Sequence, residues 1–182
     1  RGKDDLGRGR AGQRRNLLGD ARHFLTGGFA SRVYRVRVGR EPAFHIGKHI
    51  ISTPLEHSSV SGSLTALQER GWEIDLLSIG QDGTVDPEEV RELLRPDTVL
   101  VAICAVDSEL GTIQPVNEIA ALLADHPNCR LHVDATQAIG RIPVDFAGID
   151  TLSFAPHKFG GICGSGVLLK RSRMPLEPQM NG

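Results

Sequence analysis

The sequence has no hydrophobic run long enough to cross a bilayer. A spanning helix needs about 20 apolar residues, and the longest run here, Val99 to Val106, has eight; it reads as a buried strand. The first residues are basic, but Gly and Asp interrupt them and no apolar signal core follows. The same segment is Arg-rich and acid-poor, which suits a transit peptide, but it holds little Ser and much Gly. Cysteine is scarce. The three at positions 104, 129 and 163 form no CxxC pair and no even framework, which argues against structural zinc and a disulfide scaffold and fits a reducing compartment such as the cytoplasm. No strand–turn–helix nucleophile elbow accompanies the His, Asp and Cys residues, which argues against a hydrolase built on one. There is no internal repeat, and no low-complexity tract beyond the basic segment.

A strong overall charge is also missing: the net value is −1 over 182 residues. It conceals two unlike stretches. Residues 1–40 hold eleven basic residues against three acidic ones, a net of +8, while the rest hold ten basic against nineteen acidic, a net of −9. Gly7-Arg8-Gly9-Arg10 suggests disorder or an RNA-binding tail, and Ser31 to Val38 alternates like a strand with one basic face. An isolated basic strand is more often a solvated edge, so nucleic acid is not the expected partner. We find no helix with a coherent apolar stripe before residue 45.

From there the text changes. With 40% hydrophobic and 24% charged residues, the composition is that of an ordinary globular domain. His49 to Thr53 reads as a strand. Val60, Leu64 and Leu67 give Ser58 to Arg70 helical spacing, and Gly71 stops it. Ile74 to Ile79 is a strand, Asp82-Gly83 a turn, and Asp86-Pro87-Glu88-Glu89 a helix start with cap, first-turn proline and acids at the positive end. Val99 to Val106 is the central strand and Asn117 to His126 a helix. Leu131 to Ala135, Thr151 to Phe154 and Val167 to Lys170 are further strands. Strands alternating with helices predict an α/β fold, a mostly parallel sheet flanked by helices. Such sheets bind ligands at their carboxyl ends, where the polar residues gather: Glu56-His57, Asp107-Ser108-Glu109, Asp134 with Gln137, and His157-Lys158.

Asp134, taken alone, suits a helix cap. Beside His157-Lys158 another chemistry fits: a buried carboxylate needs a cation, and a protonated ring nitrogen is one. A lysine offered as a free amine at the next strand end captures an aldehyde. Pyridoxal phosphate carries both groups, and its sites pair a Schiff-base lysine with an acid at the ring nitrogen. Glycines 160, 161, 164 and 166 let the chain pass close to such a ligand. His57 suits a cap or a surface position; in the functional reading it stacks on the ring and moves protons. Cys104 reads as core packing.

The matching text is GKHIISTPLEHSSV, VDSELGTIQPV, HVDATQAIG and SFAPHKFGGICGSG, in that order. Over Gly47 to Arg171 it resembles the large domain of cysteine desulfurases, class-V aminotransferase-type enzymes of fold type I that depend on pyridoxal phosphate. The resemblance implies catalytic roles for Lys158, as the Schiff-base lysine, and His57, as the stacking and proton-relaying residue. It implies cofactor-binding roles for Asp134 at the ring nitrogen, Gln137 and Ser108 at the phenolic oxygen, and His157 at the phosphate. It further implies L-cysteine as substrate, with alanine and an enzyme persulfide as products. A sulfur acceptor or iron–sulfur scaffold would be the partner, and the full-length form would be a homodimer. Selenocysteine lyases and small-substrate aminotransferases share the Asp and the His-Lys, and a non-catalytic remnant is the alternative of another class.

The sequence departs from the family where Ser108 replaces Asn, Ala155 replaces a phosphate-binding Ser or Thr, and Gly161-Ile162-Cys163-Gly164 replaces Gly-Pro-Lys/Arg-Gly. Thr26 to Ser31 stands where a phosphate loop is expected and matches it only in glycine. Three segments follow: a basic 1–44, divergent, disordered or wrong-frame; a cofactor-binding 45–171; and a tail, 172–182. The resemblance also implies well over a hundred further residues bearing the catalytic cysteine, so the chain is expected to be incomplete.

Overall fold

The computed structural model describes residues 34–36, 47–172, 174 and 176–178. The expectations for the Gly-Arg stretch and for Thr26 to Ser31 lie outside these, as does most of the strand expected over 31–38. Its centre forms β1 (Tyr34–Val36), which pairs antiparallel with β8 (Leu176–Pro178).

The main sheet is built from β2 (His49–Ser52), β3 (Glu73–Leu76), β4 (Thr98–Cys104), β5 (Arg130–Asp134), β6 (Thr151–Phe154) and β7 (Val167–Lys170). They lie in the order β3-β2-β4-β5-β6-β7, parallel except for β7, which runs antiparallel to β6. Every residue of β2 and β4 is buried, as the near-continuous apolar run of a doubly covered parallel strand requires. Their side chains alternate between two cores. Ile50, Leu100 and Ala102 pack with Val60, Leu64 and Leu67 of α1 (Ser58–Gln68) and with Trp72. Ile51, Val101 and Ile103 pack with Val90 of α2 (Pro87–Leu93) and with Ile119 and Ala120 of α3 (Val116–Leu122).

Several boundaries differ from the sequence expectation. β3 begins at Glu73 and stops at Leu76 because its pairing with β2 runs only from His49↔Glu73 to Ser52↔Leu76. α3 begins one residue early and tightens into a 3-10 turn at Leu123–Asp125, as helix ends often do. Pro127, two residues on, disfavours helix for the residue before it. Asp86 caps α2 as expected, its carboxylate accepting from the Glu88 N–H at 2.9 Å.

Gly148 sets the entry to β6. Its φ is +75°, and a Cβ there would stand 2.8 Å from the Ala120 Cβ. Gly148→Ala is therefore expected to destabilise the chain by about 1–3 kcal/mol through positive-φ strain and overpacking. A urea titration checks this: the midpoint should fall while the slope stays unchanged.

The strand order turns between β2 and β4, since the chain steps from β2 outward to β3 and then back across to β4. The carboxyl ends of strands at such a switch point diverge and leave a crevice.

Candidate active site

A cleft of about 430 Å³ opens at those carboxyl ends, and His57, Ser108, Asp134, Gln137, His157 and Lys158 all line it. Four different loops deliver them, so the sheet brings together residues as far apart in sequence as His57 and Lys158. A larger cavity of about 540 Å³ lies among Ile113, Val116, Ile142 and Val144 and includes none of these residues. Among the described residues no cluster of three or more His, Cys, Asp or Glu could hold a metal ion.

Asp134 ends β5 and is 6% exposed. Its Oδ1 accepts from the Thr136 N–H at 2.9 Å. The residue thus makes the local bond that a cap would make, but it heads a turn instead of a helix, and it faces the cleft as well. Burial pushes its carboxyl above the ordinary range, partly offset by the Thr136 hydrogen bonds and by His57. Among the described residues no cation pairs with it.

His57 is the N-cap of α1. Its Nδ1 accepts from the Ser59 N–H at 3.2 Å and lies 2.9 Å from the Ser59 hydroxyl. The capping and functional readings are therefore compatible: an Nδ1 committed as acceptor leaves the proton of the neutral ring on Nε2.

His157 and Lys158 are exposed on a 3-10 turn, Pro156–Phe159, closed by left-handed Gly160 at φ +89°. Arg141 straps this turn to the acid turn. It donates through Nη2 to the Lys158 carbonyl at 2.6 Å and through Nη1 to the Gln137 carbonyl at 3.2 Å. Nothing in the sequence marks Arg141 out, because both of its bonds go to backbone. Ser108 sits in a turn held by buried Asp107, whose Oδ1 accepts from the Glu109 N–H at 3.0 Å. Ala155 is buried on the cleft wall and offers no side-chain hydrogen bond.

Cys104 is buried, as its apolar run suggests, but it also lines the cleft. Burial, then the charges of Glu56, Asp107 and Asp134, push its thiol far up, so it stays protonated. Burial likewise pushes Cys129 up to about 12. Cys163 is exposed in the turn after Lys158.

Glu56 received no role of its own from the sequence beyond its place beside His57. It is 8% exposed, and its Oε1 accepts from the Cys104 N–H at 2.6 Å and from the Thr53 hydroxyl at 3.2 Å. Burial, then Asp134, push it up to about 7. The fold thus favours the protonated acid: the stabilisation is complete below the ordinary value of 4.5 and is lost as pH rises towards 7. Relative to Glu56→Gln, the chain is expected to lose on the order of 3 kcal/mol across that window, at 1.36 kcal/mol per unit. Urea unfolding of both proteins at pH 4.5 and 7.5 measures the difference. His132, which burial holds down at about 3, has the opposite slope over much of this range and cancels in the comparison.

The Aminotransferase class-V family matches residues 14–182. The chain is 38% identical over 173 residues to a NifS/IcsS protein homolog of Lactobacillus delbrueckii subsp. bulgaricus, covering 92% of this chain and 45% of that protein. It is 45% identical over 139 residues to a mitochondrial cysteine desulfurase of Arabidopsis thaliana, covering 74% and 30%. A solved NifS-like protein superposes with a TM-score of 0.72 at 35% identity, covering 75% of this chain and 38% of that one. The chain thus spans less than half the length of each.

Proposed function

This chain belongs to the class-V aminotransferase family, which depends on pyridoxal phosphate, and we propose that it is the cofactor-binding portion of a cysteine desulfurase. Residues 45–171 form that portion, between a basic 1–44 and a tail, 172–182. The observation that carries the reading is Asp134: a buried carboxylate that makes no ion pair among the described residues, in the same cleft as Lys158. A buried charge of that kind calls for a cationic group on the ligand.

The donor set fits the ring half of pyridoxal phosphate. Asp134 would hold the ring nitrogen and its proton. Lys158 would supply the amine that retains the aldehyde. Gln137 and Ser108 would donate to the phenolic oxygen, and His57, held as a cap, would move a proton at Nε2. The phosphate end is thinner, with His157 present and Ala155 where a hydroxyl would serve. When bound, the cofactor supplies an electron-withdrawing ring conjugated to the substrate nitrogen, which weakens the bonds at the adjacent carbon.

L-Cysteine would be the substrate and alanine and a persulfide the products. An iron–sulfur scaffold or other acceptor would take the sulfur, in a cytoplasmic homodimer. The cysteine that bears the persulfide is not Cys104 or Cys129, whose thiols are buried and held protonated. A non-catalytic cofactor-binding role is the second reading, favoured by Ala155. Titration of the full chain with pyridoxal phosphate, followed in the visible, is the test. A saturable band supports cofactor binding, and its absence defeats both readings. Alanine released from L-cysteine by a full-length form that carries the cysteine-bearing segment separates the first reading from the second.

A further inference from the structure

The pairing between β2 and β4 ends at Ile51↔Val101, although β4 continues for three more residues, to Cys104. Were β2 to continue alongside, its backbone would fill the crevice. Instead the chain peels away, and side chains take over the ladder. The Ser52 hydroxyl donates to the Ala102 carbonyl at 3.0 Å, and the Glu56 carboxylate accepts from the Cys104 N–H at 2.6 Å. The Thr53 hydroxyl links the loop internally, accepting from the Leu55 N–H at 3.2 Å and donating to Glu56 at 3.2 Å. Glu56 is therefore the point at which the loop after β2 is fastened to the end of β4. Its other oxygen is buried without a hydrogen bond. The next residue is His57, and Cys104 stands opposite Asp134 in the β4–β5 register.

We propose that Glu56 is a positioning residue. By clamping the loop to the Cys104 amide it fixes where His57 is presented to the cofactor ring while keeping the switch-point crevice open. The inference rests on the pyridoxal-phosphate reading and goes beyond it, since reach, not charge, is what Glu56 must supply.

Two variants separate the two properties. Glu56→Asp keeps the carboxyl group but is one methylene too short to reach the Cys104 amide, whereas Glu56→Gln keeps the length and an acceptor oxygen. Loss of one buried hydrogen bond should weaken pyridoxal phosphate about tenfold in E56D and less than about threefold in E56Q. Hydrogen exchange at the Cys104 amide should quicken in E56D alone. If Glu56 acts through His57, the two effects do not add. In a His57→Ala chain, E56D should then change the affinity by less than about twofold. Thr53→Val, which removes one donor to Glu56, should weaken binding in the same direction and show the same non-additivity if E56D does not fold. The proposal is overturned if E56D binds like the parent, or if its full loss persists without His57. A parent chain that binds no pyridoxal phosphate overturns the cofactor reading, and this inference with it.

Discussion

Lys158→Ala is expected to abolish the visible band that pyridoxal phosphate develops with the chain, and to leave no cofactor attached after borohydride reduction. The whole signal should go, because it reports a bond that only an amine can form. Lys158 is exposed on the turn at Pro156–Phe159, and its described hydrogen bonds there are made by its backbone. Truncation should therefore move stability by less than about 0.5 kcal/mol, and unfolding midpoints of the two proteins should agree. Lys158→Arg sharpens the test. The guanidinium keeps the charge and the length but does not deprotonate, so it should lose the band as completely as alanine does. A band surviving in either variant would remove Lys158 from its proposed role. A band lost together with the fold would leave the assignment to Lys158→Arg, which retains the aliphatic stem.

Much of this site is legible in the sequence because its members are chemically out of place locally. Asp134 ends a short strand of alternating apolar and polar residues, and Lys158 follows another beside a run of glycines. The strands themselves are legible from short apolar runs such as Thr98–Cys104, whose residues are buried throughout. What escapes are relations between distant residues. The antiparallel course of Val167–Lys170 has no local marker, because a short run of three apolar residues and a lysine pairs equally well in either direction. Leu176–Pro178, three residues containing a proline, carries no strand pattern and pairs with residues 34–36 across most of the chain. Arg141 works through two backbone carbonyls, so its partners could be any residue type. Glu56 depends on where β2 and β4 part, a matter of register between segments 48 residues apart.

Asp134→Asn should separate binding from stability more sharply than any other substitution. Asn fills nearly the same volume and can still accept from the Thr136 N–H through its amide oxygen. What it removes is a buried charge with no cationic partner among the described residues, and such a charge opposes folding until a ligand neutralises it. Without cofactor, the variant should be as stable as the parent or more stable. The gain should be largest above pH 7, where Glu56 also ionises and the two neighbouring carboxylates repel. With cofactor the sign reverses. The ring nitrogen loses its counter-charge, and truncating one side of a buried ion pair costs about 3–5 kcal/mol, about two to four orders of magnitude in affinity. Unfolding midpoints without cofactor and dissociation constants for pyridoxal phosphate, measured on the same preparations, should therefore move in opposite directions. If Asp134 were only the turn cap that its Thr136 bond suggests, Asn would serve as well in both measurements, and an unchanged affinity would return the residue to that role.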